Sequence, residues 1–208
     1  MRWLPLFLDL RGRIVVVVGG GTIAERKIDL LIQSGAAIRV IAPTLTPRLQ
    51  ARVEAGELTH AMREFQGDDL DGARLAVAAT DAPLVNRAVA TAAEARNIFA
   101  NVVDNAELST GILPAIVDRS PLVIAIGTEG SAPAFARFVR AHIESLLDES
   151  LGRLAVVLAR WRERIRVRIP DPLLRRRLYE RVLRGAVADR VRQAREGDAD
   201  SILDQMTL

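Results

Sequence analysis

A chain of 208 residues has room for one large domain, or a nucleotide-binding domain with a smaller appendage, and half of its residues are hydrophobic, ample for a core. It has no cysteine, which excludes a disulfide framework and thiolate metal sites and fits a reducing, cytoplasmic setting. The net charge of +3 is uneven: residues 1–150 carry 15 Lys/Arg against 18 Asp/Glu, whereas residues 151–208 carry 14 Arg against 8 acids. No apolar run reaches the roughly 18 residues of a membrane span. The N-terminal stretch, with Pro5, Asp9 and no cleavage-site pattern, does not read as a signal peptide.

Val15-Val16-Val17-Val18 predicts a buried strand over 13–18, and Gly19-Gly20-Gly21-Thr22-Ile23-Ala24 follows it with the spacing G-x-G-x-x-A. In a dinucleotide-binding unit Gly19 permits the tight turn out of the strand. Gly21 lets backbone approach a pyrophosphate, and Ala24 is small enough for close helix-on-strand packing. A helix over 23–33 would then aim its free N–H groups and positive dipole end at that anion, with Gly35 as a stop. Glycine triplets also occur in plain turns; the position between strand and helix distinguishes this one.

A second strand over 38–42 ends at Pro43-Thr44. A helix through Leu49 and Val53 ends at Gly56, and a short strand covers 58–61. The apolar run 75–79 closes at Thr80-Asp81, an Ala-rich helix spans 82–96, and a strand over 99–103 ends at Asp104. This alternation predicts a parallel sheet with crossover helices. Its carboxyl edge carries Gly19, Pro43-Thr44, Thr80-Asp81 and Asp104, the edge where open α/β sheets bind ligands. The alternation then stops. Apolar runs over 111–117 and 122–126, joined by the turn composition Asp118-Arg119-Ser120-Pro121, predict an antiparallel pair. A Gly-rich loop over 127–133 leads into an amphipathic helix over 134–147. From 151 to about 195 the chain reads as helical and Arg-rich, interrupted at Pro170 and Pro172, and the last dozen residues are expected to fray.

Several stretches resemble one family, the precorrin-2 dehydrogenase/sirohydrochlorin ferrochelatase module of siroheme synthases. They are Leu4-Pro5-Leu6-Phe7, Val18-Gly19-Gly20-Gly21 with Ala24-Glu25-Arg26-Lys27, and Ala78-Ala79-Thr80-Asp81 with Val85-Asn86. Asn101-Val102-Val103-Asp104, Pro114-Ala115-Ile116-Val117-Asp118-Arg119-Ser120-Pro121 and Ser131-Ala132-Pro133 complete the set. The likeness covers nearly the whole chain. It implies an α/β fold: an N-terminal Rossmann-like parallel sheet over 1–110, a small α+β dimerisation segment over 111–148, and a helical, Arg-rich C-terminal domain over 149–208. It implies NAD-dependent removal of two hydrogens from precorrin-2 to give sirohydrochlorin, followed in some members by insertion of ferrous ion to give siroheme. It also implies a homodimer, with the helical tail helping to cover the tetrapyrrole. Larger members continue into a uroporphyrinogen methyltransferase domain, whose activity is expected to be absent here. Dehydrogenase-only and bifunctional members share the quoted motifs.

Asp104 is the first candidate for catalysis, because it ends a strand at the ligand edge and matches the family's acid/base aspartate. Hydride departure to a nicotinamide leaves a proton for a base, and chelation deprotonates pyrrole N–H groups; one carboxylate can serve both. The alternative for Asp104 is a turn or cap residue. With Gly19 and Gly21, the residues Thr22, Ile23, Pro43 and Thr44 match family positions along NAD. The acidic residue that usually binds the ribose about 20 residues after the glycines is missing from Arg39-Val40-Ile41-Ala42-Pro43-Thr44, so NAD rather than NADP rests on the resemblance alone. Thr80 and Asp81 line the same cleft, cap the helix that follows, or do both. Asn101, Thr128 and Ser131 are candidates for substrate binding; the loop around Thr128 either offers N–H groups to a substrate carboxylate or simply connects two elements. His142 is expected to be packed or interfacial, and His60 has no assigned role. No His/Cys/Asp cluster has metal-site spacing, so no metal-binding residue is assigned and any iron would be held by the tetrapyrrole.

The Arg-rich tail, with Arg162, Arg164, Arg166 and Arg168 alternating and Arg175-Arg176-Arg177 clustered, suits a carboxylate-rich tetrapyrrole or is a solvated helical face. Only Trp161 and Tyr179 offer stacking rings there and no recognition motif appears, so neither nucleic acid nor membrane is an expected partner. The competing functional class is a non-enzymatic NAD-sensing Rossmann module that regulates a partner through its tail. Asp104 and the basic tail favour the enzyme, since a sensor needs neither.

Overall fold

The computed structural model describes residues 2–194 and Ile202. It divides into two units, one made of the residues up to Leu113 with Gly127–Pro133, the other of Pro114–Ile126 with the residues from Ala134 onward.

The first unit is the expected α/β sheet. Strands β1 (Ile14–Val18), β2 (Ala37–Ile41), β3 (Thr59–Ala61), β4 (Ala73–Ala78) and β5 (Phe99–Val102) alternate with helices α1 (Thr22–Gln33), α2 (Pro47–Glu54) and α3 (Pro83–Glu94). A short 3-10 turn, Gly67–Leu70, which the sequence did not suggest, precedes β4. The sheet order is β3-β2-β1-β4-β5 and every pairing is parallel. The central strand explains the valine run, because both of its faces are covered. Val15 and Val17 pack with Ala24, Ile28 and Leu31 of α1 and Leu49 of α2, while Val16 and Val18 pack with Val89 and Ala93 of α3. All four valines are at most 2% exposed. The chain winds outward through β2 and β3 and then returns to β4 on the other side of β1. That reversal opens a crevice beyond the carboxyl ends of β1 and β4.

Element ends lie within about two residues of expectation, except after β5. The strand expected over 111–117 forms only at β6 (Ala115–Arg119). Thr110 and Gly111 instead donate their N–H groups to the Ala100 carbonyl, at 2.9 and 3.0 Å, and so finish the edge of the first sheet.

The second unit contains β6 paired antiparallel with β7 (Leu122–Ile126), then α4 (Pro133–Leu146), α5 (Ser150–Arg168), α6 (Pro172–Arg184) and α7 (Ala186–Gln193). Asp118 and Arg119, expected in the turn, belong to β6; Ser120-Pro121 alone connects the strands, with Asp118 Oδ1 accepting from the Ser120 N–H and hydroxyl at 2.8 and 2.6 Å. Leu154, Val157, Trp161 and Ile165 recur at helical spacing on α5 and bury against Leu178, Val182 and Val191. The break at Pro170-Asp171-Pro172 is chemical: Asp171 caps α6 by accepting the Leu173 N–H at 2.7 Å, and Pro172 occupies the first helical position. A second break at Gly185 separates α6 from α7 where the sequence reading ran on unbroken. The boundary expected at 148/149 lies inside this unit, and the loop 127–133 groups with the sheet. The fraying expected at the C-terminus falls, Ile202 apart, outside the described residues. No helix among the described residues is long and apolar enough to cross a membrane.

Candidate functional site

The carboxyl edge of the five-stranded sheet gathers the departures from regular backbone. Gly19 has φ +121°, and a Cβ there would stand 2.3 Å from the Ala79 carbonyl oxygen at the end of β4. A Cβ on Gly20 would stand 2.0 Å from the Thr44 carbonyl oxygen just past β2. The turn from β1 into α1 thus threads between the ends of its two neighbouring strands, tied by Gly19 N–H to Ile41 O (3.0 Å) and Thr46 N–H to Gly20 O (2.9 Å). Only glycine fits at both positions.

Gly21 differs. A Cβ there would meet nothing within 4 Å. Gly21 is the N-cap of α1 and no side chain caps it, so the helix opens with bare N–H groups beside free space. Thr22 and Ile23 form the exposed first turn, and Pro43 and Thr44 are exposed just beyond β2. The Thr44–Gly20 approach brings these two stretches together. A pyrophosphate with a flanking nucleoside suits this cradle of bare N–H groups, open space and a small apolar wall.

The acid of the Ala24-Glu25-Arg26-Lys27 stretch is committed elsewhere. Thr46 donates its hydroxyl to Glu25 Oε2 at 2.6 Å and Arg48 donates to Oε1 at 3.2 Å, which together hold the Glu25 carboxyl below its ordinary range. Asp29 pairs with Arg48 and Arg52, at 3.2 and 2.7 Å, so that α2 is strapped to α1 by charge. Sequence reasoning missed this strap, although acids on one helix and Arg48 and Arg52 on the next were its signal. No acidic side chain from 39 to 44 serves a ribose; the Arg39 guanidinium donates to the Asp69 carbonyl.

Thr80 closes the turn after β4. Its hydroxyl donates to Asn86 Oδ1 at 2.8 Å and accepts the Ala82 N–H at 3.2 Å, while Asn86 Nδ2 donates to the Thr80 carbonyl at 2.9 Å. The N-cap of α3 is Ala82 and no side chain caps the first turn; the Thr80 hydroxyl accepts only the N–H of Ala82 itself, so the expected cap from Thr80 or Asp81 is absent. Asp81 is exposed and makes no hydrogen bond to any described residue.

Asp104 lies one residue beyond Val103, whose N–H extends the ladder to the Ala78 carbonyl at 2.9 Å. It is exposed, has no hydrogen-bond or ion-pair partner among the described residues, and adopts φ +57°. A left-handed conformation costs a non-glycine residue about 1 kcal/mol, least for Asp and Asn. Asp104 is the third residue of a turn that the Asn105 N–H closes on the Val102 carbonyl at 3.1 Å, so the turn alternative describes its backbone, while its carboxylate makes no hydrogen bond there.

Asn101, three residues earlier, is only 7% exposed. Its Nδ2 donates to Gly111 O at 3.0 Å and its Oδ1 is buried with no partner. A buried orphan acceptor costs on the order of 1–3 kcal/mol and calls for a reason. Ser109 and Thr110 satisfy the outer side of β5, taking the Val102 and Ala100 N–H groups at 2.9 and 2.8 Å; two hydroxyls just after a short edge strand were the readable signal. The loop of Thr128 and Ser131 is a tight turn in which the Ser131 hydroxyl and N–H both donate to Thr128 O, at 2.6 and 2.9 Å. A Cβ on Gly130 would stand 2.9 Å from Ala106 Cβ, so this loop rests on the segment that follows Asp104. The loop of Thr128 and Ser131 and the segment after Asp104 therefore meet within the first unit, at Gly130 and Ala106.

His60 Nε2 donates to the Ala42 carbonyl, 2.8 Å away, and His142 is exposed rather than packed. Among the described residues no group of three or more His, Cys, Asp or Glu side chains is arranged to hold a metal.

Comparisons with known proteins agree with this layout. A family profile described as "Putative NAD(P)-binding" matches residues 6–115, and one described as "Sirohaem synthase dimerisation region" matches residues 150–206. The chain is 47% identical over 205 residues to a siroheme synthase of Chromobacterium violaceum and 42% identical over 205 residues to one of Photorhabdus laumondii. These alignments cover 99% of this chain and 44% of each relative. The chain thus spans less than half the length of those relatives. A solved structure titled "SirC, precorrin-2 dehydrogenase" superposes with a TM-score of 0.73 at 28% identity, covering 98% of both chains. The chain belongs to the NAD(P)-binding family whose profile spans residues 6–115, joined at residues 150–206 to the dimerisation region of sirohaem synthases.

Proposed function

We propose that this chain is an NAD-dependent precorrin-2 dehydrogenase that forms sirohydrochlorin in siroheme biosynthesis. The observation that carries the reading is the unpartnered, left-handed Asp104 carboxylate just past the carboxyl end of β5, in a chain that superposes on a precorrin-2 dehydrogenase over nearly its full length. When bound, NAD supplies the hydride acceptor. Gly19 and Gly21 with the N–H groups of Thr22 and Ile23 would hold its pyrophosphate, Pro43 and Thr44 would flank a nucleoside, and Thr80 and Asp81 would line the crevice beyond β4. Each dehydrogenation removes a hydride and a proton from the macrocycle. Asp104 takes the proton on a carboxylate oxygen and returns it to water. Asn101, Thr128 and Ser131 would orient substrate.

Ferrous ion belongs to this reading as a substrate. Insertion into sirohydrochlorin displaces two pyrrole N–H protons, which Asp104 would accept. The active form is a cytoplasmic homodimer, with 1–110 holding the cofactor, 111–148 contributing contact between copies, and the matched region from 150 onward completing it.

The test is to mix the protein with precorrin-2 and NAD and follow absorbance for sirohydrochlorin. No product with NAD bound sinks the reading. Asp104→Asn keeps the left-handed turn and NAD binding and is expected to lower turnover at least about 100-fold; unchanged turnover refutes the role of Asp104. Adding ferrous or cobaltous ion to sirohydrochlorin tests chelation separately.

A further inference from the structure

In a dinucleotide-binding unit the loop after the second strand chooses the cofactor: an acidic side chain there accepts the ribose 2′-hydroxyl of NAD, whereas an arginine nearby accommodates the 2′-phosphate of NADP. This chain has no acid from 39 to 44, and Arg48 follows shortly after Thr44. By position alone the loop favours the phosphorylated cofactor. The charges around it do not. Thr46 ties the loop to the glycine turn, its N–H donating to the Gly20 carbonyl at 2.9 Å, and its hydroxyl donates to Glu25 Oε2 at 2.6 Å. Glu25 stands one turn into α1, its own N–H on the Gly21 carbonyl at 3.0 Å, so this acid comes from the cradle helix and not from β2. Glu25 Oε1 also takes Arg48 at 3.2 Å, and Asp29 takes the same guanidinium at 3.2 Å. Arg52 lies between Asp29 and Glu57, at 2.7 and 2.9 Å. Two cations thus meet three carboxylates, a net charge of −1 beside the glycine turn. Arg48 is the looser cation, 57% exposed with both contacts long for charge-assisted bonds, whereas Arg52 is 20% exposed and tightly held. The arginine able to meet a phosphate is therefore the one that Glu25 occupies.

We infer that Glu25 is the cofactor-specificity residue of this chain: from α1 it does what an acid at the end of β2 does elsewhere, occupying Arg48 and keeping the loop after β2 negative, so that the cradle takes NAD and refuses the 2′-phosphate of NADP. The tighter Arg52 contacts still strap α2 to α1 when the Glu25 charge is removed, which separates selectivity from folding. This role rests on the reading of the glycine turn as a dinucleotide cradle and not on that of Asp104.

The test is calorimetric titration of the full chain with NAD and with NADP, which needs no turnover. The wild-type Kd for NADP is expected at least about tenfold above that for NAD; equal affinities overturn the inference. Glu25→Gln keeps an oxygen for the Thr46 hydroxyl and removes the charge. It should lower the Kd for NADP about tenfold while the Kd for NAD stays within about twofold. An unchanged ratio of the two overturns the inference. Combining Glu25→Gln with Arg48→Met should abolish the gain, since the released guanidinium is what takes the phosphate; a double variant that keeps the gain also overturns it. Arg48→Met alone checks the same point with Glu25 in place: both Kd values should hold within about twofold, and weaker NADP binding would mean that Arg48 already serves the phosphate, against the inference. A wild type that binds neither cofactor sinks the dinucleotide reading and this role with it. A chain that binds NAD without turning over precorrin-2 sinks the dehydrogenase reading alone, and the Kd comparison still decides the role of Glu25.

Discussion

The ligand edge of the sheet and the helices α5 to α7 follow opposite rules. At the edge, side chains and backbone depart from local preference: Gly19 at φ +121°, Asp104 at φ +57°, a buried Asn101 oxygen without a partner, an uncapped helix start. In the helices, apolar residues keep a regular period around Trp161, and the charges of Arg166, Arg176 and Arg192 are met by Glu163, Glu180 and Asp189 a turn away. Arg175 donates to the two carbonyls just past α5, at 2.9 Å from Ile169 O and 2.7 Å from Pro170 O. Places where a sequence breaks its own local rules tend to be places kept for function. By that standard much of the Arg-rich tail is helix chemistry, and the departures from local preference gather at the edge.

This contrast can be attacked from both sides. The largest effect is expected at Trp161, wholly buried at the centre of the helical core; Trp161→Ala should cost about 3–5 kcal/mol in urea denaturation, and a loss below 1 kcal/mol would mean that the helices are not held by that core. Next come the glycines. Gly19→Ala must place a Cβ 2.3 Å from a backbone oxygen at φ +121°, and should cost about 2 kcal/mol or more. Gly21→Val adds bulk where nothing lies within 4 Å, so thermal melting should barely change while the Kd for NAD rises at least about tenfold. Equal behaviour of the two variants would erase the distinction between a structural and a ligand-facing glycine.

A smaller effect concerns Asp69, buried within the 3-10 turn and held below its ordinary range first by the Arg63 guanidinium and then by the Gln66 N–H. Its folded-state pKa is depressed, so its contribution is present above the unfolded value near 3.9 and is lost as pH falls through the folded one. Asp69→Asn should therefore lower stability at pH 7 and flatten the acid limb below about pH 4; an unchanged slope would assign that limb to other carboxylates. Least of all should happen at the exposed Arg166–Glu163 pair, where Glu163→Gln is expected to leave the melting midpoint unchanged.

The fold was readable because each of its signals is local. Four valines in a row demand two covered faces, and the Ala24, Ile28, Leu31 spacing demands one. Asp104 was readable too, as a charge at the end of a strand. The roles of its neighbours were not. That Thr80 is engaged with Asn86 depends on how a turn closes, and that Asn101 is buried depends on Gly111 folding back over β5. The same fold-back moved the start of β6 four residues past its expected place. Glu25, part of the family-like stretch, turned out to strap α2 to α1, a contact 21 residues apart in sequence.

Sequence alone determined the parallel sheet, the glycine turn after its first strand and the carboxylate at the end of its fifth, because strand period, turn chemistry and apolar spacing act over a few neighbouring residues. Only the tertiary structure decided that Gly19 and Gly20 are pinned by backbone oxygens from β4 and β2 while Gly21 faces open space. That pinning is a matter of close approach between distant segments, set by how helices and strands pack and not by the residues beside them in the chain.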